Sequence, residues 1–323
     1  MTVRLASTLL LLLAVGCTKP PLQTGRPDTG DNTGAGTGGT DSGSGTDSGT
    51  TEQSSLCPSY GSSVRTGSNP SILPELSGLA ASHKHAGVFW AENDSGNALE
   101  LIGIREDGSV VAQIPLTGAT NTDVEDISLG PCANGSADTC VYLSDIGDNN
   151  KVRSSVAIYR LKEPDTLDNT PRAVDVLAFT YPDGAHNAES FIVDPKNAQL
   201  YVLTKAAGTL GDVYRLDNLA VGQSGSATKI ASVTAPNNSD QISTAADVHP
   251  SGERILIRTY SHLWELRSPG ALTVETVWTA QPVEIPAAVQ PQGEAVSYLA
   301  DGRGYLLGTE GVGEGLFRVD CRQ

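Results

Sequence analysis

Ile158-Tyr159-Arg160-Leu161, Val213-Tyr214-Arg215-Leu216, Leu263-Trp264-Glu265-Leu266 and Leu316-Phe317-Arg318-Val319 are copies of one short strand, and Leu101-Ile102-Gly103-Ile104 is a looser copy. A recurring piece of this kind decides the fold before any other feature, because repeats build rings and arrays. Upstream of each copy stands an apolar strand: Val88-Phe89-Trp90-Ala91, Val141-Tyr142-Leu143, Leu200-Tyr201-Val202-Leu203, Ile255-Leu256-Ile257 and Tyr305-Leu306-Leu307. Earlier again comes a small or acidic residue opening a further strand, at Ser77, Glu125, Glu189, Ala246 and Glu294. An outer strand follows the aromatic one at Val110 to Leu116, Val174 to Tyr181, Thr228 to Thr234 and Thr273 to Thr279. The last copy in the chain, Leu316 to Val319, has none.

Gly, Asp, Asn and Pro turns separate these runs, and no amphipathic helical period appears after the first residues, so the class is all-β. Four-stranded units repeated along a chain describe a β-propeller, here of five blades. The segment Ser62 to Thr66 has no repeat of its own and is expected to supply the strand that the last blade lacks, closing the ring from the N-terminal side. A six-bladed ring would need a degenerate blade around Lys162 to Val174; a sandwich would need no repeat at all.

The cysteines fit that topology. Cys132 and Cys140 bracket a short Gly- and Asn-containing loop and read as a local staple. Cys57 and Cys321 then pair by elimination, joining the start of the domain to its end. Such a bridge spans a loop of about 260 residues and stabilises by about 4–5 kcal/mol in the entropic model. Disulfides of this kind belong to an oxidising compartment.

Ahead of the domain the composition changes twice. Arg4, the apolar run Leu9 to Leu13 and the small residues into Ala14-Val15-Gly16-Cys17 read as a secretory signal over residues 1–16, too short for a permanent span. Its Gly-Cys ending resembles the lipobox of bacterial lipoproteins, with Ala14 where leucine is usual. The resemblance implies cleavage before Cys17, diacylation of that cysteine and further acylation such as palmitate, hence a stable membrane anchor. Thr18 after the cysteine is similar to the pattern sorted to the outer membrane in Gram-negative cells, facing periplasm or exterior. Residues 17–56 are then the anchor and a Thr-, Asp-, Gly- and Ser-rich stalk that cannot bury a core, with a reach of about 35 Å. The Gly34-x-Gly36-x-x-Gly39 match to a dinucleotide fingerprint lies in this stalk without a strand before it, and is discarded. Residues 57–323 form the propeller domain, expected as a monomer.

The net charge of −16 makes nucleic acid and anionic membrane surfaces poor partners. Glu125, Glu189 and Glu294 occupy equivalent channel positions and should converge on the axis, where they repel unless a proton, a basic group or a hard cation such as Ca²⁺ neutralises them. The competing reading is that each bonds backbone amides of the neighbouring blade. Asp145-Ile146-Gly147-Asp148-Asn149 packs Asp145 and Asp148 around a glycine, which suits Ca²⁺ or plain turn chemistry. Lys205 and Arg258 fall on the same face and would receive an anionic group, or neutralise Glu189 and its neighbours. His186 leads into a channel strand and is the candidate for acid–base work. Gly-x-Ser-x-Gly, His-Glu-x-x-His and Cys-x-x-Cys are all missing, so no catalytic motif is recognisable.

Asn93-Asp94-Ser95-Gly96, Thr120-Asn121-x-Asp123-x-Glu125-Asp126, Asp145-Ile146-Gly147-Asp148-Asn149, Tyr181-Pro182-Asp183-Gly184, Arg258-Thr259-Tyr260 and Pro291-Gln292-Gly293-Glu294-Ala295-Val296 together resemble an uncharacterised family of secreted bacterial propellers. That resemblance covers most of Ser77 to Val319 and implies a fold, not an activity. The Glu-led first strands are also similar to those of phytase-like and lactonase-type propellers, which hold divalent metal in the channel; no full ligand set transfers. The expectation is a binding protein for a small polar ligand or a protein partner at an acidic mouth, with Ca²⁺ in or near it. The alternatives are a metal-dependent hydrolase of esters, lactones or phosphoesters, and a structural or adhesive surface protein.

Overall fold

In the computed structural model, residues 56–236 and 242–322 are described, so the expectations for the signal, Cys17 and nearly all of the stalk lie outside the described residues. Short strands β1 (Ser59–Tyr60) and β2 (Val64–Ser68) come first. The first antiparallel meander follows as β3 (Leu76–Ala81), β4 (Phe89–Asn93), β5 (Glu100–Ile104) and β6 (Val110–Thr117). A second meander runs β7 (Val124–Pro131), β8 (Thr139–Asp145) and β9 (Val156–Lys162). After β9 the chain makes β10 (Arg172–Ala173), which pairs in parallel with β6, and returns as β11 (Asp175–Thr180) beside β9. Within the stretch weighed as a degenerate extra blade, Arg172 and Ala173 thus form a short edge strand of the first meander.

The third meander is β12 (Ala188–Val193), β13 (Leu200–Thr204), β14 (Gly211–Asp217) and β15 (Gly225–Val233). Next come β16 (Ser243–Val248), β17 (Arg254–Thr259) and β18 (Leu263–Arg267), a single helical turn α1 (Val274–Val277), and the short outer strand β19 (Val283–Ile285). Here the expected outer strand at Thr273 to Thr279 is corrected. Val274, Val277 and Trp278 recur at helical spacing and bury together against Tyr201 and Trp264, so a turn of helix hides all three. The last group is β20 (Gly293–Tyr298), β21 (Gly304–Thr309) and β22 (Gly315–Arg322), with β2 paired to β22 as expected and β1 paired further along it.

The first two strands of each meander are buried on both faces, which explains why they read as near-continuous apolar runs, while outer strands such as β6 and β15 alternate buried residues with more exposed ones. Alternation sends Val141 and Leu143 of β8 into the layer holding Trp90 and Tyr159, while Tyr142 between them enters the layer holding Phe191 and Tyr214. First strands touch in cyclic order: β3 with β7, β7 with β12, β12 with β16, β16 with β20, and β20 with β3. The fold is all-β and propeller-like.

Polar side chains fasten that circuit. Ser77 Oγ donates to the Glu125 carbonyl at 2.6 Å. Asp126 Oδ2 accepts the amides of Phe191 on β12 at 2.9 Å and Ala246 on β16 at 3.1 Å. Asp247 Oδ2 accepts the Tyr298 amide at 2.7 Å, and Ser297 Oγ accepts the Ala81 amide at 2.9 Å. On β7 the strand-to-strand bond foreseen for a glutamate is made by the aspartate that follows Glu125.

Cys57–Cys321 and Cys132–Cys140 both form, with Cα atoms 5.4 and 4.9 Å apart. The two bridges fit an oxidising, non-cytosolic compartment. No helix among the described residues is long and apolar enough to cross a membrane.

Candidate functional site

Loops entering the first strands and loops leaving the second strands share one end of the circuit. There, Asp94 beyond β4, Asp123 before β7 and Glu125 on β7 bring carboxylate oxygens within 4.8 Å of one another. Asn121 ties the two loops: its Nδ2 donates to the Asp94 carbonyl at 2.8 Å and to the Asn93 carbonyl at 3.1 Å, and its Oδ1 accepts the Val124 amide at 3.1 Å. Gly147 forms the bed beneath, its amide donating to the Asp123 carbonyl at 3.0 Å. A side chain there would collide with the carboxylates of Glu125 and Asp123. Glycine at 147 is therefore what allows these two acids to close up.

The triad's protonation reflects crowding. Burial, with the neighbouring Glu189, Asp94 and Asp123 charges, pushes Glu125 well above the usual carboxylate range. Burial, then Asp94, raises Asp123; burial raises Asp94 against the opposing Ser95 amide bond. Excess negative charge in a desolvated place favours either protons or a cation.

The other expected channel acids line the same mouth but are engaged. Glu189, buried, forms an ion pair with Lys205, whose Nζ also donates to Tyr260 Oη at 2.7 Å and lies 4.9 Å from that ring's centre. Burial raises the Glu189 carboxyl and the lysine charge opposes it. Glu294 accepts Gln292 Nε2 at 3.0 Å, and burial followed by the Glu189 charge pushes it up to about 8. Lys205 is thus held by Glu189, the neutralising role weighed for it in the sequence.

Arg258 is fully buried under Gly293, donating from Nη2 to Gln290 Oε1 at 2.8 Å, so it does not face solvent at the mouth. Asp145 bonds Arg153 at 2.7 Å, Tyr159 Oη and the Asp123 amide at 3.2 Å, which makes it a support for the triad's second loop. Asp148 accepts the Val152 amide at 2.9 Å and the Arg153 amide at 2.7 Å, capping its own turn. His186 sits against the third-strand Tyr214, with Nε2 2.9 Å from Asp183 and 3.2 Å from Tyr214 Oη, and its ring packs on Tyr181.

Sequence reasoning passed over Asp94, Asp123 and Glu92 as site residues, although Asp94 and Asp123 stood in the quoted segments and Glu92 lies just between two of them. Glu92, on a second strand, reaches beside Gly78, where no side chain blocks it, towards Asp126. Both its oxygens are enclosed without a well-formed hydrogen bond, and burial followed by Asp126 and Asp94 pushes its carboxyl well up. The first meander, lacking a glutamate at Ser77, thereby still presents a carboxyl group to the channel. Spacing that relates only first strands to one another misses a contribution from a second strand.

No protein-family profile and no curated protein matches this chain. Among solved structures it is similar to a gluconolactonase from Xanthomonas campestris, at 11% identity and a TM-score of 0.47, over 80% of this chain and 89% of that one. At that distance the likeness assigns neither a residue nor an activity.

Proposed function

We propose that this chain is an exported, lipid-anchored β-propeller of five four-stranded blades that binds a divalent cation, Ca²⁺ by class, at its acidic mouth and through it a small polar ligand. The observation that carries the reading is the convergence of Asp94, Asp123 and Glu125 within 4.8 Å, while Lys205 is already paired with Glu189. The donor set is all oxygen, which suits Ca²⁺ or Mg²⁺ over softer metals. Glu189 and Glu294 border the site and would meet the ligand's polar groups. The cyclic contacts of the first strands and the placement of β2 beside β22 support five blades. Cleavage before Cys17, lipidation there and a stalk to residue 56 would hold the domain at the outer membrane, facing periplasm or exterior, with no nucleic-acid partner.

Metal analysis of the purified chain, with thermal melts in calcium and in chelator, tests this. Bound metal, a higher melting temperature in calcium and loss of that rise in Asp123→Asn are expected. A melt indifferent to both conditions sinks the cation reading.

One observation favours a second reading, a metal-dependent hydrolase of esters, lactones or phosphoesters. Glu294 has its carboxyl near the neutral range, at about 8, where it can exchange a proton with a water near the mouth. A bound cation would supply an activated water. Turnover on an ester, lactone and phosphoester panel that disappears in Glu294→Gln while metal content persists would select this reading over binding alone.

A further inference from the structure

The end of the circuit opposite the acidic mouth has a cavity of different character. A volume of about 480 Å³ opens between the first and last meanders, with Val88, Phe89 and Leu299 as its floor. It shares Ala81, Leu299 and Ala300 with a smaller cavity that reaches Leu129 and Val248 at the feet of the channel strands. The larger volume falls in the range of about 300–1,000 Å³ usual for small-molecule sites, and its floor is apolar.

Charges of both signs stand at its rim. Arg318 is committed to Glu106 at 2.9 Å and Asp320 at 2.7 Å, making a braced wall. Asp107 accepts from Ser109, its amide at 2.9 Å and its side chain as well, and Asp301 accepts the Arg303 amide at 2.8 Å, leaving each carboxylate with lone pairs to offer. Arg105 is exposed and forms no ion pair within 4 Å among the described residues, although its charge acts on Asp107. Its Nη1 lies 3.7 Å from the position a Cβ would take at Gly87.

A plain carboxylate would gain Arg105 but face Asp107 and Asp301 uncompensated. A plain amine would meet the reverse problem. A zwitterion with an apolar body answers the guanidinium, the acids and the floor together. We propose that this cavity binds a free amino acid with a large apolar side chain. Its carboxylate lies on Arg105, its ammonium faces Asp301 and Asp107, and its side chain rests on Val88, Phe89 and Leu299. The site is separate from the mouth and does not depend on a cation there.

Calorimetric titration of the full chain with L-phenylalanine, 3-phenylpropionate and 2-phenylethylamine tests it. Phenylalanine should saturate, and the two single-charge analogues should bind at least about tenfold more weakly. Arg105→Ala should weaken phenylalanine about tenfold, and Ala300→Trp should abolish it by filling the cavity. Both positions are exposed, so melting temperatures should match the wild type and show that the fold is kept. No saturation by about 10 mM phenylalanine, equal binding of 3-phenylpropionate, or an unchanged affinity in Arg105→Ala would each overturn the proposal.

Discussion

Tyr60 donates a 2.6 Å hydrogen bond to Oε1 of Glu265, a residue 205 positions further along the chain. Tyr298 donates to the same oxygen at 2.8 Å, and Arg254 bonds the Cys57 carbonyl at 2.8 Å while lying 3.5 Å from Glu265 Oε2. The segment that carries the N-terminal half of the Cys57–Cys321 bridge is therefore held by a second, polar latch. Replacing both cysteines by serine should lower stability by about 4–5 kcal/mol, since the freed loop spans most of the domain. Tyr60→Phe, which removes one of several donors to a buried carboxylate, should lower it by about 1–2 kcal/mol. Urea unfolding of the three proteins measures both; a larger loss for Tyr60→Phe than for the cysteine pair would contradict the assignment of closure to the disulfide.

Asp126 joins three strands by one side chain, accepting the Ile127 amide on its own strand and those of Phe191 and Ala246 on two others. Asp126→Ala orphans three enclosed donors, each worth about 1–3 kcal/mol when left unsatisfied, so a loss of at least about 3 kcal/mol is expected. Ser297→Ala removes one acceptor, for the Ala81 amide, and should lose about 1 kcal/mol. Chemical denaturation of the two variants should preserve that order. Equal losses would mean that the channel strands are not fastened chiefly through Asp126.

The circuit was legible in the sequence because its cause is periodic: an aromatic-led strand behind an apolar one, repeated, with Ser62 to Thr66 standing in for the strand missing at the end. β2 at Val64–Ser68 overlaps the segment that reasoning named, and the Cys57–Cys321 pair accords with it, while Cys132–Cys140 was legible from its short loop alone. Thr273 to Thr279 was misread because β-branched residues suggest a strand, while burial of Val274, Val277 and Trp278 on one side selects a turn of helix. The site was legible only in part. Glu125 follows from strand equivalence, but Asp94 and Asp123 reach it through loop geometry set by Asn121 and Gly147, and Glu92 arrives from another strand. Equivalent loop positions placed Lys205 and Arg258 on the same face; they left open whether Lys205 neutralises Glu189, as it does, and could not reveal that Arg258 lies beneath Gly293.

The crowded acids set a pH dependence with a definite sign. Glu294 titrates at about 8 in the folded protein, raised from 4.5 by burial and then by Glu189. Between those values the native state holds a proton that the unfolded chain has lost. Its contribution is fully present below about 4.5 and disappears as pH rises through about 8. Glu125 and Glu92 shift in the same direction. In chelator the melting temperature should fall between about pH 5 and about pH 8.5, and Glu294→Gln should flatten part of the slope. A melting temperature that climbs over this interval would show that these carboxyl groups are not protonated in the folded state.

Gly147 offers the most selective probe of the mouth. Its backbone lies against the Glu125 and Asp123 carboxylates, and a Cβ has no room unless one of them moves away. Backbone strain is not the issue, because Gly147 is not among the glycines with positive φ. Gly147→Ala should therefore destabilise by about 1–3 kcal/mol through overpacking. It should also separate the two acids and so shrink the rise in melting temperature produced by calcium, although no ligand has been removed. Gly135→Ala is the control, since it changes a glycine of the disulfide loop with nothing within 4 Å of the added carbon. Its φ of 75° should still cost stability, yet the calcium response should stay whole. If calcium stabilises Gly147→Ala as strongly as wild type, Asp123 and Glu125 do not act together on the cation, and the site must be sought elsewhere along the mouth.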